Sequence, residues 1–522
     1  MIFVFPTRRK FLFFAQASFT SLLCIVLGCK APEISKDAAV VVVESAPRNL
    51  DPLFASDAIS QKLNNLIHSA LIQIGHDMKP KSELAQTWKI KNHQIFHFRL
   101  HPSLKFQDGS PLTAKDVKES FERFLDPKNG SSHALAFSQI QKIWYQGKLD
   151  FFFETKIPQP FLINDLSLIK IYKKKEQGQD GNAIWFNENN IVISSGRFKL
   201  AKISLDEAVL ERFIDYPEKP TKFSLKKIIF KFVRDDTTRY QLLMRGDVNV
   251  LISGLSISKT NYLKEHLPQH LKIVDSPGIN LSYLSFNFKN PILKNLKVRQ
   301  AIAHAIHREK ILKYRYSGYA YLATGILAPV HEGYEPHVKR YEYDPDLAKK
   351  LLDEAGFPQK GQWRFALKIK STSEKHALDM VRLIAHELEQ VGIQIQLQIV
   401  ELGTFFSDIK AGYFDLFCSR WVGVNNPSIY YRVFHSSQIL QGVNRGVYKN
   451  PILDSLLEKA VKEVNDMKRN SLFSQIQKTA AEDLPYINLW HWNNTFIGNQ
   501  DMQNILMYPN GNYLTLAYIE RY

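Results

Sequence analysis

Cysteine is nearly missing from this chain: three residues in 522, namely Cys24, Cys29 and Cys418. Two of them fall near the N-terminus, so no disulfide framework holds the body of the chain, and stability must come from hydrophobic cores. Beyond residue 28 there is no apolar run long enough to cross a bilayer. Short repeats and low-complexity linkers are absent too. So are a Gly-rich phosphate loop, a G-x-S-x-G elbow and an H-E-x-x-H helix, which argues against an enzyme. His93, His97 and His101 recur every fourth residue. The alternation around them is that of a strand, where four-residue steps lie roughly 13 Å apart, too far for neighbours to share a metal. No metal and no cofactor is expected. Acids are outnumbered, 51 against 68 Lys and Arg, for a formal charge of +17. The bases are scattered rather than striped, so no nucleic-acid partner is expected. Anionic lipid, cell wall or acidic ligands fit that charge better.

What is present begins with the leader. Arg8, Arg9 and Lys10 precede an apolar run over residues 11–27 that ends in Val26-Leu27-Gly28-Cys29. That ending resembles the lipobox of bacterial lipoproteins, in which the Cys thiol takes a lipid thioether. We therefore expect residues 1–28 to be removed as a signal peptide and Cys29 to be the lipidation site. The mature chain would then be tethered to a membrane, facing the periplasm or exterior. Thr7-Arg8-Arg9-Lys10-Phe11-Leu12 also resembles a twin-arginine export signal, although general secretion accounts for such a basic pair equally. Cys418 lies in the apolar run 414–418 and reads as a packing residue.

Roughly 490 residues remain after the leader, too many for one core and enough for two or three domains. Residues 40–43 are all Val and read as a buried strand; 59–72 have helical periodicity, and 94–100 alternate as a half-buried strand. Asp108-Gly109-Ser110-Pro111 reads as a tight turn. Thr113 with Asp116 reads as a capping box opening a helix. Residues 297–314, 344–355 and 381–391 read as amphipathic helices and 393–400 as a strand, with Gly356-Phe357-Pro358 stopping the second helix. Strands and helices interleave throughout, which indicates α/β layers.

At this point a series of motifs resembles one family, the extracellular solute-binding proteins of oligopeptide and dipeptide ABC importers (family 5). Asn49-Leu50-Asp51-Pro52 resembles its opening motif, and 80–88, with Pro80, Leu84, Ala85 and Trp88, its P-x-L-A-x-x-W segment. Residues 96–100 with 105–117 match its most diagnostic stretch. Asn287 with 298–308 matches the central helix, except that His307 stands where an Asp is usual; 343–358 matches the late helix. Gly246-Asp247-Val248-Asn249 and Asn450-Pro451 with Asp454 are weaker echoes. The order and spacing cover nearly the whole mature chain. Most of these segments read as scaffold, and Arg299 is expected to pair with a carboxylate.

The resemblance implies an α/β two-lobed periplasmic-binding-protein (Venus flytrap) fold with an extra, smaller α/β domain. Lobe one would comprise 29–68, 191–285 and 491–522. The extra subdomain, 69–190, would pack on it, and lobe two would be 286–490. The implied function is that of an ABC importer's binding lipoprotein, expected to act as a monomer, in which oligopeptides are captured between closing lobes and passed to permease subunits. By the same resemblance the ligand-binding residues are Ser56, Asp57 and Ala58, then Arg420, Trp421, Val422, Gly423, Val424, Asn425 and Asn426, with Trp490 and His491 as a further, aromatic candidate. The family's loop usually reads W-x-x-D-x-x-[DE]-P, whose first Asp pairs with the peptide ammonium. Here 421–427 is one residue shorter and has no carboxylate. The resemblance therefore does not extend to the acid that receives a free N-terminus, and Asp57 is the acid that would substitute. The alternatives are the same fold holding a cell-wall peptide, haem or a nickel complex, or a cell-surface interaction protein.

Overall fold

Two long antiparallel strands, Leu271–Phe286 and Tyr486–Asn499, run through the whole molecule and organise it. In this computed structural model, which describes residues 34–55, 57–131, 134–173, 193–316, 318–440 and 442–522, they form the middle of one 11-stranded sheet. The leader, Cys29 and Ser56 lie outside the described residues. The register of the two strands breaks between Ser276 and Asn280. On one side of the break, 271–276 pairs with 494–499, and the sheet continues through Val250–Ile252, Ala38–Val43, Lys227–Phe232, Glu207–Arg212 and Phe198–Ile203. On the other side the neighbours are Leu416–Trp421, Phe365–Thr372 and Ile393–Val400, with Ala320–Leu322 pairing off the path. The two halves are the two lobes. At the break, a Cβ on Gly278 would lie 2.1 Å from the Trp492 carbonyl oxygen, so only glycine lets the two backbones cross there.

The all-Val strand is buried on both faces because it pairs in parallel with neighbours on either side and is covered by other elements. Asn249, from the Gly246–Asn249 echo, accepts a hydrogen bond from Val40 N (2.7 Å). The extra subdomain is a four-stranded antiparallel sheet, Ala85–Lys91, Ile95–Leu100, Asp150–Thr155 and Ile140–Gln146, packed on the helix Ala114–Leu125. Its core is a stack of phenylalanines, Phe96 on Phe153 at 4.5 Å and Phe121 against Phe151 at 4.8 Å. It is joined to lobe one by buried polar contacts. Asp51 accepts from Arg123 (3.1 Å) and from Leu53 N (2.9 Å), and Glu83 accepts from Ala70 N and Arg197, both at 2.9 Å.

Three expectations are corrected. The helix expected over 59–72 spans only Ala58–Ile67. The chain then turns into the subdomain, with Ser69 bridged to Ile171, and Ile72–Ile74 is a strand. The helix expected over 297–314 is two, Leu296–Ala305 and Arg308–Arg315. His307 sits between them as N-cap, its Nδ1 accepting from Lys310 N (3.4 Å), so the imidazole does there what a carboxylate does in a capping position. Arg299 pairs with no carboxylate among the described residues. It donates to the carbonyls of Asp483 (2.7 Å), Leu293 and Lys294 (both 2.8 Å), fastening a helix end to the following chain.

Candidate functional site

The parallel strands of both lobes end at the hinge. In lobe one Ala38–Val43, Lys227–Phe232 and Val250–Ile252 point their C-terminal ends toward the register break. In lobe two Phe365–Thr372, Ile393–Val400 and Leu416–Trp421 do the same from the opposite side. In open α/β sheets ligands bind beyond the carboxyl ends of the strands. Here two such edges face one another across the crossing strands, so the candidate site is the cleft between them.

The lip of lobe one is held from behind by a buried arginine. Arg239 donates to the carbonyls of Gly254 (2.7 Å), Val233 and Arg234 (both 2.8 Å), clamping together the loops that leave the strands on either side of Ala38–Val43. Between them Ser253 adopts a positive φ of 49°, an uncommon conformation for a residue with a side chain, with its N–H donated to Thr495 O (2.8 Å). Asp57 is the N-cap of Ala58–Ile67 and accepts from Ser60 N (2.9 Å); Ser60 Oγ bonds its second oxygen. The carboxylate proposed to substitute for the missing loop acid therefore already caps a helix.

The lip of lobe two is the segment 421–427. Trp421 stacks on Tyr283 (5.8 Å), which stacks on Tyr486 (4.4 Å). Val422 is 61 % exposed and Gly423 is exposed. Gly423 turns the chain at φ +66° and donates its N–H to Asn280 Oδ1 at the hinge (3.2 Å). Val424 is buried, and its carbonyl shares a hydrogen bond with His331 Nε2 (2.7 Å). Asn425 Oδ1 is buried and has no hydrogen-bond partner among the described residues. Asn426 Nδ2 donates to Asp165 Oδ1 (3.2 Å), and Asn426 Oδ1 accepts from Ser428 N (3.0 Å). Arg420 is exposed, with its guanidinium 4.6 Å above the Trp492 ring.

Asp165, in the short helix Leu162–Asp165, is a functional candidate that sequence reasoning missed. It belongs to the extra subdomain yet delivers a carboxylate to a loop that has none of its own. Burial raises its pKa to about 6, opposed by the charge of Arg432 and the Asn426 hydrogen bond. Beside it Phe161 packs edge-on against Phe473 (5.4 Å) and lies under Arg469 (5.1 Å), so subdomain and lobe two meet here. No local signal marks Asp165, since its partner is 261 residues away.

Trp490 and His491 do not line the cleft. Trp490 is 0 % exposed in the core of lobe two, against Tyr316 at 4.9 Å. His491, on the opposite face of the same strand, is 1 % exposed and covered by Tyr321 at 5.3 Å. Adjacent residues of a strand point to opposite faces, and here both faces are covered. Cys418 is likewise buried, which pushes its thiol pKa up and away from reactivity.

With that geometry in hand, likeness to known proteins becomes informative. The bacterial extracellular solute-binding proteins of family 5 match residues 79–440. The oligopeptide-binding protein AppA of Bacillus subtilis is 27% identical over 484 residues, covering 89% of this chain and 88% of its own. Its structure in complex with a nonapeptide has a TM-score of 0.77 at 25% identity, over 93% of this chain and 99% of that one. NikZ of Campylobacter jejuni, in complex with Ni(L-His), has a TM-score of 0.79 at 24% identity, over 94% and 100%.

Proposed function

Because the chain belongs to the bacterial extracellular solute-binding proteins of family 5, we propose that it captures oligopeptides between its two lobes and hands them to the permease of an ABC importer. The observation that carries the reading is the pair of facing strand-end lips, one of which holds a buried acceptor, Asn425 Oδ1, without a hydrogen-bond partner among the described residues. A buried acceptor left unpaired costs about 1–3 kcal/mol, and a peptide N–H entering the cleft would satisfy it. An extended peptide offers such groups at every residue whatever its sequence, which suits capture by main-chain hydrogen bonds. On this reading Ser56–Ala58 and residues 420–426 contact the ligand, the segments 29–68, 69–190, 191–285, 286–490 and 491–522 are the approximate pieces of the lobes and subdomain, and the protein acts as a monomer. The likeness to an oligopeptide-binding protein, 27% identical over 484 residues, supports a peptide as the ligand.

Ligand shifts an open–closed equilibrium only by its preference for the closed form. Small-angle scattering with a saturating pool of random pentapeptides should show a smaller radius of gyration than protein alone, and native mass spectrometry should show the retained peptides. An unchanged radius, with no peptide retained, would sink the capture reading.

Membrane attachment is proposed through Cys29. Each buried methylene contributes about 0.8 kcal/mol and a single chain binds only marginally, so stable tethering takes more than one acyl chain. Cys29→Ser should release protein from the membrane fraction or leave uncleaved precursor. A processed, membrane-bound Cys29→Ser protein contradicts the anchor.

A further inference from the structure

Among the described arginines that lie over an aromatic ring, Arg420 differs in what its side chain lacks. Arg123, Arg197 and Arg469 also pair with carboxylates, and Arg212 and Arg299 donate to main-chain carbonyls. The Arg420 side chain forms no ion pair or hydrogen bond among the described residues and is nonetheless held in place. Its guanidinium carbon lies over the Trp492 ring, 4.6 Å from the centroid, and the indole is itself fixed by donating Nε1–H to Ser282 Oγ (2.8 Å). Glu374 is the acid whose charge acts on it. Both oxygens of Glu374 are engaged by the helix end they cap, accepting from His376 N (3.1 Å) and Ala377 N (2.9 Å).

Arg420 is one residue from the C-terminal end of its strand, at the cleft edge of lobe two, and the lip that follows has no acid from 421 to 427. Stacking occupies the face of a guanidinium and leaves its edge, with the N–H donors, free. A planar fork held this way is arranged for two parallel hydrogen bonds to a carboxylate, and little side-chain entropy remains to be lost on binding.

We propose that Arg420, seated on Trp492, is the anion anchor of the cleft and receives a carboxylate of the bound peptide. This rests on the peptide-capture reading above. The carboxylate is either the peptide's C-terminus or an acidic side chain, and both use the same fork.

The test compares three synthetic pentapeptide pools by calorimetry on the whole protein at fixed salt. One pool has neutral side chains and a free C-terminal acid, one is the same pool as C-terminal amides, and one is amidated with a single Glu. A charge-assisted hydrogen bond translates to roughly 10- to 100-fold in affinity, so the free-acid or the Glu pool should bind at least tenfold tighter than the neutral amide pool. Which of the two does so identifies the source of the carboxylate. Arg420→Gln should erase that ratio. Arg420→Lys should keep part of the ratio, because it retains charge without the planar fork, and it decides the matter if Arg420→Gln melts early. Equal binding of all three pools, or a ratio that survives Arg420→Gln, overturns the anchor while peptide capture stands. Binding of no pool overturns capture itself and the anchor with it.

Discussion

Arg197→Met should lower stability by about 3–5 kcal/mol, the usual cost of leaving a buried charge without its partner. Arg197 and Glu83 are both almost wholly buried, at 4% and 1% side-chain exposure, and meet at 2.9 Å. Arg197 also reaches Glu218 at 3.0 Å, and its guanidinium lies 4.7 Å from the Tyr216 ring and 5.7 Å from Tyr518. Glu83 comes from the subdomain's 80–88 motif, while Arg197, Glu218 and Tyr518 come from lobe one, so the pair is a joint between the two. Removing the cation strands a carboxylate in a site built to neutralise it. The shift should appear in the thermal transition of that unit as a drop on the order of 10 °C, at roughly 2–4 °C per kcal/mol for units of this size. Glu83→Gln in the same background should recover part of the loss, because it removes the stranded charge. A single-variant loss below about 1 kcal/mol would mean that the pair is not the joint described here.

Acid is expected to unfold the protein well before most carboxylates titrate. Burial pushes the pKa of His68 down to about 3, with the charge of Lys170 adding to the effect. Burial likewise pushes His491 down to about 4, with His331 adding to it. In the unfolded chain both titrate near 6.5. The folded protein therefore holds them neutral, and protonation favours the unfolded chain. Their contribution to stability is complete above pH 6.5 and shrinks as pH falls from there toward the folded-state values. By pH 4.5 each should have withdrawn roughly 2–3 kcal/mol. Urea midpoints at pH 7.5 and pH 4.5 measure this. The acid-induced drop should be markedly smaller in His68→Gln with His491→Gln, whatever that variant costs at neutral pH. An undiminished drop would place the acid sensitivity elsewhere.

Both positions show how differently local and distant information enter this protein. Wherever a group finds its partner within a few residues, the sequence alone determined the outcome. Asp116 accepts from Thr113 N (2.7 Å) in the capping box, Gly109 takes φ +84° in the turn, and Asp344 caps the helix Pro345–Glu354 by accepting from Leu347 N (2.9 Å). Ile393–Val400 is a strand over the span its alternation marks. The ordered motifs likewise determined the family, because they are scaffold segments whose turns and caps are satisfied locally. The tertiary structure decided whatever needed a partner from another part of the chain. The crossover at Ser276–Asn280 exists because two strands more than two hundred residues apart collide at Gly278. Trp490 and His491, candidates by resemblance, are interior because helices cover one face of their strand and the segment through Tyr321 covers the other. Asp165 reaches Asn426, and Arg420 finds the face of Trp492, only through folding. The chain's local chemistry therefore sets its elements and family, while long-range packing sets which charges remain unpaired at the cleft, since burial and pairing depend on what the fold brings alongside.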